Sequence, residues 1–290
     1  MDRLQTKIRK LKNPIVLDMT VPCEQIPPHL MEQEGNYLRA YGRFCLELME
    51  GLRREIAGVR FSYSLLSMMG TEGLTWLGRL CSKADSLGFY VFLDLPDIKT
   101  TAQAAMFAQL VADDMFPVVY DGLIVSSYIG SDGFTEYLPL LTEKNKDLFV
   151  LLRTPNKSAA QVQDLLTGGR LVHTAMADQL VRFGKTYTGK SGYSCLGGVA
   201  AAAAAGSLQQ LRAKYKGLFL LVDGYELPSG NTKNCSLAFD ELGHGAAICV
   251  GSYITNAWEA EAYDGTEFIN CALEAVGKLK SNIARYITIL

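Results

Sequence analysis

The sequence predicts an α/β protein, a single (β/α)8 barrel (TIM barrel) formed by residues 1–290 as one domain. Three observations lead there. Short apolar runs alternate with longer segments of helical period, as expected of a parallel sheet wrapped by helices. The runs number eight and are apolar almost throughout, which fits strands covered on both faces. No Pro/Gly/Ser-rich linker interrupts the alternation, so the chain reads as one unit of ordinary barrel length. An open doubly wound sheet is the structural alternative.

In chain order the expected strands are Ile15–Asp18, Val59–Tyr63, Phe89–Leu95, Gly122–Ser126, Leu148–Arg153, Gly197–Ala203, Leu218–Val222 and Ala246–Gly251. Helical periods fall at Asn36–Ile56, Gly73–Leu87, Thr101–Asp113, Leu171–Phe183, Ser207–Lys214 and Cys235–Glu241. Thr71 before Glu72, and Ser207, supply helix-start signals. The alanine run Ala200–Ala205 follows Gly197 and Gly198, and small residues there let a strand pack closely on its neighbours or leave room for a ligand.

Composition narrows the class. Hydrophobic residues make up 49% and charged residues 20%, enough for a sizeable core. The net charge of −2 is spread along the chain, with no basic block for nucleic acid and no polybasic helix for a membrane surface. The 7 cysteines are scattered without CxxC spacing, which argues for reduced thiols rather than disulfides or zinc. Residues 1–12 are amphipathic and charged without a signal-peptide core, and no run reaches transmembrane length, so the expected location is the cytoplasm. His29, His173 and His244 have no ligand spacing. No metal is expected, and no nucleophile elbow, P-loop or dinucleotide fingerprint is present.

Barrel sites gather where strands end, so the segments just after each run carry the chemistry. They include Asp18–Pro22, Asp94–Thr101, Thr154–Lys157, Asp223–Thr232 and Gly251–Asn256. Asp94, Asp97 and Lys99 form the densest polar group. Paired carboxylates beside a lysine can move a proton, because neighbouring charges tune one another's pKa values. The plainer alternative is that Asp97 caps the next helix while Lys99 is solvated on its first turn. "SSYIGSDGF" (126–134) suits helix capping or a sugar hydroxyl. "DGYELPSGNT" (223–232) and "VGSYITNAW" (250–258) follow the last two runs, where barrels often hold phosphate, yet neither has an arginine or lysine at its centre.

The ordered set of motifs resembles the orotidine 5'-monophosphate decarboxylase family, in particular its longer bacterial branch. The resemblance rests on "KNPIVLDM" with "IPPHL", "MMGTEGL" (68–74), "FLDLPDIKTTA" (92–102), "SSYIGSDGF", "LLRTPNKSAAQVQDL" (151–165), "GYSCLGGVAAA" (192–202), "LLVDGY" (220–225) and "AFDELGHGAAICVGSYITNAW" (238–258). It implies decarboxylation of orotidine 5'-phosphate to UMP without a cofactor, in pyrimidine biosynthesis. It also implies an Asp/Lys/Asp/Lys array, and a glutamine and an arginine that grip the phosphate. Dimers are implied too, with an aspartate and a threonine reaching the partner's site.

Against that pattern this chain departs at several positions. The family has a lysine between the two aspartates of its third strand; here Asp94 and Asp97 are separated only by Leu95 and Pro96, and Lys99 lies beyond them. Arg60 stands at the family's other lysine, Thr20 at its first-strand aspartate, Pro228 at its glutamine and Ser252 at its phosphate arginine. Asp94, Asp97, Thr101, Thr154 and Asn156 match. The resemblance therefore implies a catalytic set of Asp94, Asp97, Lys99 and Arg60. It implies substrate contacts from Thr20, Thr101, Thr154, Asn156, Ser229, Gly230, Ser252 and Tyr253. A pyrimidine nucleotide is the implied ligand, and a homodimer or a heterodimer with a homologue the implied assembly. Two functions stay open: a divergent decarboxylase using Lys99 or Arg60, and a non-catalytic partner or regulatory subunit of an active homologue.

Overall fold

The computed structural model describes residues 1–95, 98–228, 230–260 and 265–290. Eight parallel strands close into a barrel: β1 (Ile15–Asp18), β2 (Gly58–Ser62), β3 (Tyr90–Asp94), β4 (Gly122–Val125), β5 (Asp147–Leu151), β6 (Leu196–Ala201), β7 (Leu220–Asp223) and β8 (Ala246–Val250). Each strand pairs with its sequence neighbours, and β8 returns to β1 through Ile15–Ile248 and Leu17–Val250. The closed barrel excludes the open sheet. Every expected strand is present to within a residue or two.

Alternation along the strands divides the buried residues into two layers. Leu17, Val59, Val91, Leu93, Leu123, Leu148, Val150, Leu220 and Val222 face the surrounding helices. Val16, Tyr90, Phe92, Ile124, Phe149, Val199, Phe219, Leu221, Ala247 and Cys249 share the barrel interior. The interior is packed by large aromatic rings against glycines. Phe92 lies 5.1 Å from Phe149, and a Cβ on Gly197 would come within 2.9 Å of the Phe149 ring. Leu4 and Ile8 of the helix Asp2–Leu11 join the same cluster and close the N-terminal end of the barrel.

Helix boundaries follow their caps. Asn36 Oδ1 accepts the Arg39 N–H at 3.0 Å and starts the helix Tyr37–Leu52. The helix expected from Gly73 begins at Gly70, with Thr71 inside its first turn, and the one expected from Ser207 begins at Ala205. The helix expected over Cys235–Glu241 is instead Thr232–Ser236, because Asn231 caps it early by accepting from Asn234 N–H at 2.9 Å. Beyond it the chain turns back: Asp240 Oδ1 takes the N–H groups of Leu242 and His244. Among the described residues no helix is long and apolar enough to cross a membrane.

Candidate active site

Inward-facing positions recur at every second residue, so the residue that ends a strand on the inward parity points into the C-terminal mouth. Asp18 follows Val16 on β1, Arg60 follows Gly58 on β2, Asp94 follows Phe92 on β3, and Asp223 follows Leu221 on β7. These four meet. Arg60 Nη1 lies 3.0 Å from Asp223 Oδ2 and 3.5 Å from Asp18 Oδ2, and Nη2 donates to Asp94 Oδ2. Cys249 Sγ on β8 is 3.8 Å from Arg60 Nη1.

The guanidinium is the centre of the arrangement, and its side chain is only 12% exposed. Burial opposes its charge, but Asp223, Asp18, Cys249 and Asp94 outweigh that, and the group is held protonated well above the ordinary arginine range. Asp94 is shifted the other way from a usual ion-paired carboxylate. Burial raises its pKa, and the attraction of Arg60 only partly offsets this. Burial likewise pushes the Cys249 thiol well up, so it is a protonated thiol rather than a thiolate. Asp18, Asp223 and Cys249 have ligand atoms within 4.8 Å of one another, a spacing that suits a metal ion, and Arg60 Nη1 lies within 3.8 Å of an atom of each. The guanidinium therefore supplies the positive charge that these groups surround.

The residues singled out in the sequence separate into those that join this cluster and those that do not. Arg60 and Asp94 join it. Asp97 and Ser229 lie outside the described residues. Lys99 is exposed; its backbone N–H donates to Gln103 Oε1 at 3.0 Å, and its ammonium makes no ion pair among the described residues. Thr20 is exposed and gives its N–H to Asp18 Oδ1 at 2.9 Å, so the carboxylate facing Arg60 from the first strand is Asp18. Thr101 reaches Asp132 across 3.4 Å, away from the arginine's partners. Thr154 Oγ1 donates to Asn156 Oδ1 at 2.7 Å just after β5, beside Gln163. Gly230 is packed on its own loop: a Cβ there would lie 2.2 Å from the Gly224 carbonyl oxygen.

Ser252 opens the short helix Ser252–Thr255, and Tyr253 meets the edge of Tyr225 at 5.7 Å. Both tyrosines belong to loops after the last two strands. A cavity of about 380 Å³ opens here, lined by Ser252, Tyr253, Asn256 and Glu226 among others. Glu226 accepts the N–H of Gly251, and burial raises its pKa. A carboxylate therefore sits on backbone donors of the β8 loop, where a barrel commonly holds phosphate.

Four residues of this site were not singled out as site residues in the sequence: Asp18, Asp223, Glu226 and Cys249. A signal for the first two exists. Each aspartate terminates an apolar run on the inward parity, as Asp94 does. For Glu226 there is none, because its bond to the Gly251 N–H depends on how the loops after β7 and β8 meet.

No protein-family model matches the chain. It is similar to the orotidine 5'-phosphate decarboxylase of Rhodopirellula baltica, 27% identical over 249 residues and covering 83% of this chain and 82% of that protein. The enzyme of the same name from Clostridium acetobutylicum is 25% identical over 287 residues, 98% of each chain. In fold it resembles a Toxoplasma gondii structure assigned as an orotidine-monophosphate decarboxylase, with a TM-score of 0.78, 19% identity and 98% coverage of both chains.

Proposed function

We propose that this orotidine 5'-phosphate decarboxylase-like barrel has lost decarboxylation and acts as a non-catalytic partner of an active homologue. The observation that carries the reading is Arg60, bound by Asp18, Asp94 and Asp223 at the mouth. Loss of CO2 leaves a carbanion that must take a proton, so the site needs a donor whose pKa can be brought near the working pH. Lysine can be tuned in that way and arginine cannot. Here the central cation is held more firmly protonated than a free arginine. Lys99, the nearest lysine in sequence to Asp94 on that loop, is exposed and unpaired among the described residues.

The phosphate end of the site supports the same reading. Ser252 offers no charge to a phosphate dianion and Glu226 adds a carboxylate, while the lysine of the cavity lining, Lys278, lies 3.9 Å from Glu274. A charged hydrogen bond to phosphate is worth about 1.5–3 kcal/mol, so a site with serine in place of the arginine binds a nucleotide monophosphate about ten- to a hundredfold more weakly. The competing reading, a divergent decarboxylase, requires Lys99 to turn into the mouth.

Association is supported by exposed large apolar residues on neighbouring segments. Met68 is 83% exposed, Met106 68% and Met115 66%. Their segments are joined by contacts of Phe116 with Tyr63 and Phe107, 6.2 and 4.9 Å between rings. Large apolar residues grouped on a surface mark a site of protein association. The partner in this reading is a second copy or a homologous decarboxylase. The test is a turnover assay on orotidine 5'-phosphate with the purified protein, beside co-expression with an active homologue carrying a different tag. Turnover by the isolated protein overturns the loss of activity, and failure to co-purify overturns the partner role.

A further inference from the structure

The opposite end of the barrel carries a groove whose charge is the reverse of the mouth's. It has a volume of about 770 Å³, within the range of small-molecule pockets. One wall is the helix Asp2–Leu11, which presents Arg3, Lys7 and Lys10. The other is the end of the helix Tyr37–Leu52, followed by Arg53 and Arg54, with Leu87 and Gly88 between. The spacing of Arg3, Lys7 and Lys10 follows the helical repeat, so the three share one face.

The partners of these cations decide what the groove can take. Arg3 is neutralised by Asp121 and Asp85. Asp2, the acidic residue of the lining, turns its carboxylate to the N–H groups of Lys190 and Ser191. Lys7 donates to the Gly88 carbonyl and lies 4.9 Å over the Phe89 ring, with no carboxylate bonded to it. Lys10, Arg53 and Arg54 make no ion pair among the described residues. Four cations therefore line a concave, partly apolar surface without an ion pair among the described residues, and the carboxylates whose fields reach them are Asp121 at Lys7 and Glu50 at Arg53.

We propose that this groove binds a small polyphosphate anion, held by Lys7, Lys10, Arg53 and Arg54. One carboxylate or sulfate leaves most of the charge unmet, whereas a chain of phosphates can reach both walls at once, with the arginines gripping oxygens in pairs. Leu11 and Leu87 add an apolar floor for an organic group attached to it. The positive field has a visible effect on Lys7. Burial, together with Arg3 and Lys10, lowers its pKa to about 8. A bound polyanion stabilises the protonated ammonium, so the pKa rises on binding, and affinity falls as pH climbs from about 8.

The test is calorimetric titration of the full chain with inorganic tripolyphosphate and, separately, with ATP, at low and at high salt. Binding of tripolyphosphate assigns recognition to the phosphates alone, and binding of ATP only adds the apolar floor; either supports the site. Arg53→Glu and Arg54→Glu are at exposed positions and should each weaken binding by about tenfold or more, whereas Arg182→Glu on another helix should not. In chain carrying 13C-methylated lysines, the Lys7 titration should shift upward with tripolyphosphate. The proposal is overturned if neither anion binds, or if binding is indifferent to both reversals at Arg53 and Arg54. It is also overturned if the Lys7 titration is unmoved by a saturating ligand.

Discussion

Arg60 on β2 and Asp223 at the end of β7 are 163 residues apart in sequence and 3.0 Å apart across the barrel mouth. With Asp18 and Asp94 they form an ion cluster holding three carboxylates against one guanidinium. The arginine both neutralises the site and fills its centre.

Removing that cation should be costly. Arg60→Ala leaves three partly buried carboxylates facing one another, and breaking a buried pair from one side typically costs about 3–5 kcal/mol. Urea denaturation at neutral pH measures it. Arg60→Lys should lose less, since a lysine keeps the charge but not the fork of donors. A loss below about 1 kcal/mol for Arg60→Ala would show the cluster to be solvated, at the level of surface pairs.

Asp94 gives the cluster a pH signature. Its folded pKa lies above the ordinary 3.8, because burial outweighs the attraction of Arg60. The folded state therefore holds that proton more tightly than the unfolded one, and stability falls as pH rises from about 4 through the raised value. Asp94→Asn keeps an oxygen acceptor for Arg60 and removes the titration. Its melting temperature relative to the parent should improve as pH rises from about 4 through the raised value, and then level off. Parallel curves for the two proteins would exclude Asp94 as the source.

The isolated protein should not decarboxylate orotidine 5'-phosphate above background, and UMP should not bind at micromolar concentration. Glu226→Gln removes a charge beside the Gly251 N–H and should improve UMP affinity without creating turnover. Turnover in the parent that vanishes in Lys99→Ala would mean the lysine folds into the mouth.

If the proposed mixed dimer forms, Asp97 and Thr101 are the residues that the resemblance would place in the partner's site. Such a dimer should keep turnover in the homologue's own site, and Asp97→Ala should abolish it. Pull-down and turnover on the same sample decide this, and activity indifferent to Asp97→Ala removes the shared-site idea.

The barrel interior makes a prediction independent of function. A Cβ on Gly122 would lie 2.7 Å from Tyr90 Oη and 3.1 Å from Phe149 Cε2. Tyr90 is fixed there because its hydroxyl donates to Asp147 Oδ2 at 2.7 Å in the buried core. Gly122→Ala should therefore cost about 1–3 kcal/mol. Tyr90→Phe removes both the obstructing oxygen and the hydrogen bond, so the double variant should lose less than the sum of the singles.

Alternation of apolar runs and helical periods favoured the barrel in the sequence, because each strand is short, apolar and bounded by polar segments. An open sheet remained the alternative until the pairing of β8 with β1 closed the barrel. The same local information located the strand end that carries Asp94, whereas Arg60, near the start of the expected strand Val59–Tyr63, was indicated only by the family resemblance. Local information did not say which ends converge. Asp18 and Asp223 close apolar runs just as Asp94 does, but their meeting at Arg60 depends on a closed sheet that brings β1, β2, β3 and β7 around one axis. Lys99 looked equivalent to Arg60 as a cation near Asp94, and only the fold separates the exposed ammonium from the buried guanidinium. Charge along a chain is one-dimensional, whereas pairing and burial are properties of the closed barrel, and those decide which groups act together.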